Sequence, residues 1–161
     1  MQTAVNGMML GSAFLVTSHL MMLIVKLVIY FINGLGFYKI GKIRGVQAPW
    51  LAFIPVFNLY TIGVIGDSLK YENQTINRYF ERVNLALVLP LAFLLFDVFT
   101  FGFFSKIGDL LLFAANLMVC YLVYEFYDDE HKILFTVLSI IPILTPFLML
   151  YVTRNIKINN Y

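Results

Sequence analysis

Four polar residues recur every seven positions in the first apolar run of this 161-residue chain: Ser12, His19, Lys26 and Asn33. Seven residues are two turns of an α-helix, so the four share one face of an otherwise apolar cylinder. Such a stripe either hydrogen-bonds to neighbouring helices in a bundle interior or lines a polar path or pocket, because ionisable groups at membrane depth are costly and mark sites. Lys26 needs a partner, since an isolated ammonium in hydrocarbon loses its proton or draws in water. Asp97 and Glu125 both lie inside apolar runs and can supply it. The topology favoured below pairs Lys26 with Glu125. Asp97 is then a lone carboxyl of the kind proton-coupled transport uses, with Thr100 or His19 as hydrogen-bonding neighbours. Asn116 adds a polar group to the run that ends at Glu125.

Elsewhere the chemistry is sparse. Ser139, Pro142, Thr145 and Pro146 predict a kink in the last run, with hydroxyls close to the freed carbonyls. The link Asp128-Asp129-Glu130-His131 lacks the glycine and spacing of a calcium loop and reads as a solvated turn. Cys120, the one cysteine, excludes an intrachain disulfide and reads as a small buried side chain. No phosphate loop, His-Glu-x-x-His or Gly-x-Ser-x-Gly motif occurs, so neither a cofactor nor a metal site is expected.

The elements that carry these residues are apolar runs. The chain is 61% hydrophobic and 12% charged, with a mean hydropathy of +0.85, whereas soluble domains are about a quarter charged. A net charge of +2 gives no footprint for nucleic acid. The expectation is an all-α integral membrane protein, one domain, with four transmembrane helices at about 8–38, 83–104, 108–127 and 133–153. The first is read as a retained helix and not a cleaved signal. The stretch 49–66 is a re-entrant element or a short fifth helix, because about 27 Å of helix is marginal for crossing ~30 Å of hydrocarbon and Pro55 interrupts it. Trp50, Pro55, Asn58 and Tyr60 are its marked residues, and Trp50 reads as an interfacial anchor. Re-entry places Lys39, Lys42, Arg44, Lys70, Arg78, Arg82 and Lys132 on one side and Lys106, Arg154 and Lys157 on the other; crossing moves the basic tail to the side of Lys39–Arg44. Re-entry is favoured. Either way the N-terminus is outside and Lys39–Arg44 is cytoplasmic.

Tyr38-Lys-Ile-Gly-Lys-Ile-Arg-Gly45, then Pro49-Trp-Leu-Ala-Phe-Ile-Pro-Val-Phe-Asn-Leu-Tyr60 and Gly63-Val-Ile-Gly-Asp67, resembles an element of a loose grouping of small multi-pass membrane proteins, often from Gram-positive bacteria. The resemblance covers about thirty residues. It implies a bacterial cytoplasmic membrane and brings no activity with it. The expected function is that of a non-enzymatic accessory subunit, with the lipid bilayer and either a membrane-protein partner or further copies of the chain as its contacts. The competing expectation is a small oligomeric transporter or channel that uses the first-helix stripe with Asp97.

Overall fold

The computed structural model describes the backbone of residues 2–98 and 103–154 and the side chains of 17–96 and 106–154. All regular structure among them is helical. The first helix, α1 (Gln2–Ile43), runs past both expected ends. It stops where Gly45 takes a φ of +69°. There the Val46 N–H donates to the Gly41 carbonyl (2.8 Å) and the Gly45 N–H to that of Lys42 (3.3 Å). This closure needs a residue free to adopt the left-handed region, and Gly45 is that residue.

The chain then turns back along α1. A 3₁₀ turn, Pro49–Phe53, lays the Phe53 ring against Phe31 and Tyr38, with centroids at 6.0 and 5.8 Å. Gly34 permits this approach, for a Cβ there would stand 2.9 Å from the Phe53 ring. At Val56 the direction reverses in a γ-turn. Val56 has φ +69° and ψ −52°, and the Phe57 N–H donates to the Pro55 carbonyl at 2.8 Å. A β-branched residue in that conformation is strained. Helix α2 (Phe57–Lys70) returns to the end of α1, where Arg44 pairs with Glu72 at 2.6 Å. Where a single element at 49–66 is expected, the chain forms a hairpin with both ends at the Arg44 end of α1.

Helix α3 (Gln74–Phe80) is capped by the Asn73 side chain, which accepts from the Ile76 N–H. Helix α4 (Leu85–Phe93) climbs back along α2 and continues into a π-helical turn, Leu94–Val98. The expected uniform helix over 83–104 is therefore irregular after Pro90, and 99–102 lie outside the described backbone. Helix α5 (Phe103–Tyr127) descends to the Arg44 end, where the Tyr127 hydroxyl accepts from Arg44 Nε at 3.2 Å.

The last expected helix, 133–153, is two helices, α6 (Lys132–Leu138) and α7 (Thr145–Arg154). They fold back on each other. The Phe135 and Tyr151 rings lie edge to face at 5.8 Å, whereas sixteen residues of straight helix would separate them by about 24 Å. Pro142 blocks continuation, and Pro146 stands at the second position of α7, where a missing N–H is harmless. The Thr145 hydroxyl donates to the Ser139 carbonyl across the turn. Helix α7 seats Met149 on Gly36 of α1, where a Cβ would stand 2.8 Å from the Met149 Cβ. Outside this hairpin, Asp128 hydrogen-bonds the exposed His131 imidazole at 2.9 Å and raises its pKa above the ordinary histidine value.

Phe37, Ile40, Ile65, Val119, Val123, Tyr124 and Met149 form the centre of the core, with Cys120 buried among them as expected. The exterior is apolar as well, with Leu27, Phe31, Leu110, Leu111, Ile141 and Phe147 exposed. Two stretches, Thr17–Ile43 and Lys106–Tyr127, are long and apolar enough to cross a membrane, and a third candidate pairs Gln74–Phe80 with Leu85–Phe96 across a 59° bend. A helical bundle with such a surface belongs with hydrocarbon more than with water.

A polar cleft at the tip of the first hairpin

The tip of the α1–α2 hairpin divides two clefts that share Tyr30 and Pro55. One, of about 300 Å³, is lined by Val56, Asn58, Leu59, Phe93, Asp109 and Leu112 besides the shared pair. The other, of about 510 Å³, is lined by Lys26 and the apolar Leu23, Leu27, Phe31 and Phe53. The strained γ-turn of Val56 thus lies in the wall of the site, where backbone strain is commonly stored.

Distance along the bundle follows from the three contacts that Arg44 makes at its end. Eighteen residues separate Lys26 from Arg44, and eighteen separate Asp109 from Tyr127. At 1.5 Å per residue both charges stand about 27 Å from the Arg44 end. Tyr30 and Asn58 are each fourteen residues from Arg44 and from its partner Glu72, or about 21 Å. Asn33 and Asn116 form a third tier eleven residues, about 16 Å, from that end. The charged tier opens outward, with Lys26 and Asp109 both exposed. The tiers beneath carry buried polar atoms. The Tyr30 hydroxyl and the Oδ1 atoms of Asn33, Asn58 and Asn116 are buried and have no hydrogen-bonding partner in the protein. Asn58 as a whole is 8% exposed. Each such group forfeits roughly 1–3 kcal/mol unless a guest satisfies it.

Of the expected set, Lys26, Pro55 and Asn58 line the clefts at this hairpin tip, and Asn33 and Asn116 line neither. Trp50 and Tyr60 are exposed and do not line either cleft. His19 is exposed further along α1. The side chains of Ser12 and Asp97 lie outside the described residues. The stripe on α1 does not face the bundle interior as a unit, because His19 and Lys26 are exposed while the Asn33 amide oxygen is buried; Thr17 to Val28 are all exposed.

Glu125 has other partners than Lys26. Its carboxylate accepts from Asn73, from the Tyr121 hydroxyl (3.1 Å) and from Lys132 (3.2 Å). The reason is depth, since Glu125 lies at the Arg44 end and Lys26 near the opposite one. At the same end Arg44 stacks on Phe126 with 4.0 Å to the ring centroid, so one guanidinium ties α1, α2 and α5 together.

Tyr30, Asp109, Asp67 and Lys70 are not among the residues that the sequence marks. Asp109 is seven residues before Asn116, the same spacing as Lys26 to Asn33, and that signal was available. Asp67 and Lys70 join α2 to α4. The Asp67 carboxylate accepts from the Leu85 and Ala86 N–H groups at 3.1 and 3.0 Å and from Lys70 at 2.7 Å. Lys70, whose side chain is 2% exposed, also donates to the Val83 carbonyl.

No family model, curated protein or solved structure matches the chain.

Proposed function

We propose that the chain is a multi-pass protein of the bacterial cytoplasmic membrane that handles a small polar molecule or headgroup in the Tyr30–Asn58–Asp109 cleft, in the manner of a small transporter or channel. Three segments cross: α1, the α4 segment and α5. The hairpins 44–72 and 132–154 are re-entrant, and the Arg44 end faces the cytoplasm with the N-terminus outside. Charge supports this topology. Lys39, Lys42, Arg44, Lys70, Arg78, Arg82, Lys132 and Arg154 fall at one end, and Lys106 alone among the described loop cations falls at the other. The C-terminal hairpin removes the conflict between re-entry at 49–66 and a basic tail, since three crossings bring the tail to the cytoplasmic side.

The observation that carries the functional reading is the pair of buried, unpartnered polar atoms that line the cleft, the Tyr30 hydroxyl and the Asn58 Oδ1. Polar groups at membrane depth are retained where they line a water-filled or ligand-filled space, and a broken helix is how many transporters build one. The accessory reading is favoured by a different observation, the exposure of α1 on every face from Thr17 to Val28, which gives a partner helix a place to lie. A stoichiometric protein that co-purifies in gentle detergent would favour that reading.

The cleft reading is tested by thiol labelling in a Cys120→Ala background. Asn58→Cys is expected to react in intact cells with a membrane-impermeant thiosulfonate. Thr61→Cys, fully buried one turn nearer the Arg44 end, is expected to stay unreactive. An Asn58→Cys protein that is folded and inert would show that the cleft is dry and would overturn the reading.

A further inference from the structure

The charged tier names the class of molecule. Resting on the cleft reading above, we propose that the site binds a zwitterion, with the anionic group of the ligand at Lys26 and its ammonium at Asp109. Lys26 and Asp109 carry opposite charges at the same height, about 27 Å from the Arg44 end. Each lines one of the two clefts that meet at Tyr30 and Pro55. Opposite charges that can meet attract each other. Yet among the described residues no carboxylate lies within ion-pairing distance of Lys26 and no cation within that distance of Asp109. The hairpin tip stands between them, with Pro55 in the wall of both clefts. A molecule with a negative and a positive group separated by a short linker bridges that gap; a simple anion or cation satisfies only one side.

The remaining lining agrees. Tyr30 and Asn58 offer a hydroxyl and an amide oxygen, both buried and unpartnered, to the polar middle of such a ligand. Asn58, being 8% exposed, is a built feature and not a surface group that water already serves. Beyond Lys26 the wall is apolar: Leu23, Leu27, Phe31 and Phe53. That strip suits hydrocarbon chains. Measured from the cytoplasmic end, about 27 Å in a hydrocarbon layer of ~30 Å puts the charged tier at the outer interface. The ligand chemistry is therefore an aminophosphate or amino acid zwitterion, and its two sources are a phosphatidylethanolamine headgroup and a free zwitterion of the medium.

The experiment is native mass spectrometry of the delipidated full-length protein titrated with three probes: short-chain phosphatidylethanolamine, short-chain phosphatidylglycerol, and glycerophosphoethanolamine, which has the headgroup and no acyl chains. The ethanolamine lipid is expected to bind at least tenfold more tightly than the glycerol lipid. Asp109→Asn, at an exposed position, is expected to remove about tenfold of that preference, and Lys26→Gln to weaken both lipids about tenfold alike because both carry the phosphate, while Lys26→Arg and Asp109→Glu keep the unmodified behaviour. Equal binding of the chain-free probe assigns the site to a free zwitterion; weaker binding assigns it to lipid. Phosphatidylglycerol binding as tightly as phosphatidylethanolamine to the unmodified protein overturns the proposal without recourse to any variant. So does a preference that survives Asp109→Asn, or phosphate-lipid binding that Lys26→Gln leaves unchanged. If Asn58→Cys labels while these tests fail, the cleft is wet and takes another ligand; if that labelling fails, the cleft reading itself falls.

Discussion

Gly63→Ala is expected to destabilise the fold by about 3 kcal/mol, at the upper end of what overpacking a helix interface costs. A Cβ on Gly63 would stand 2.5 Å from the Ala86 Cα and closer still to the Leu85 carbonyl oxygen. Both obstacles are backbone, so no rotamer change makes room. Relief requires α4 to move off α2 as a body, and that motion breaks the Asp67 bonds to Leu85 and Ala86 at the same time. Gly66 on the same face is milder, because a Cβ there would meet the Val119 and Leu85 side chains. The ordering Gly63→Ala worse than Gly66→Ala, read as the loss of monodisperse protein on heating in detergent, checks the α2–α4 contact. Equal and small losses would mean that the two helices are not in this register.

Asp67→Ala carries the second large effect, a loss of about 3–5 kcal/mol, the range for breaking a buried ion pair by removing one partner. The carboxylate does two jobs. It satisfies two of the N–H groups that open α4, in addition to the Asn84 cap on Leu87, and it neutralises a lysine that is almost wholly buried. The substitution leaves an ammonium inside the bundle with one carbonyl for company. Asp67→Ala combined with Lys70→Met should therefore cost less than Asp67→Ala alone, since the orphaned charge goes with it. Additive losses in that cycle would show that Asp67 acts through the helix start alone.

What the sequence made legible divides by the range of the forces involved. Apolar runs and the cationic link report on solvent, and they marked the helical bundle, the end at Lys39–Arg44 and the break at Pro55. The heptad of Lys26 and Asn33 is local geometry, and of the two only Lys26 lines a cleft. The single helix expected over 133–153 failed because Pro142 and Pro146 were read as a kink; a kink and a reversal share the same local signal. What decides between them is packing, here Met149 against Gly36 and Phe135 against Tyr151, which join residues far apart in sequence. The Lys26–Glu125 pairing failed for a related reason: partner choice depends on height along the bundle, and height depends on which segments cross. Asp109 is legible by its seven-residue spacing to Asn116, the same as that of Lys26 to Asn33.

The account stands on two hairpins that leave from the side they entered. Single cysteines at Gln47, Gln74, Glu130 and Arg154, in the Cys120→Ala background, with Lys106→Cys as the opposite-side reference, test this with one impermeant thiol reagent applied to intact cells and to inverted vesicles. The prediction is that the first four react only in inverted vesicles and Lys106→Cys only in intact cells. Reaction of Gln74→Cys from the same side as Lys106→Cys would mean that the first hairpin crosses the membrane and that the cleft at its tip does not exist as described; reaction of Arg154→Cys from that side would mean that the second hairpin crosses.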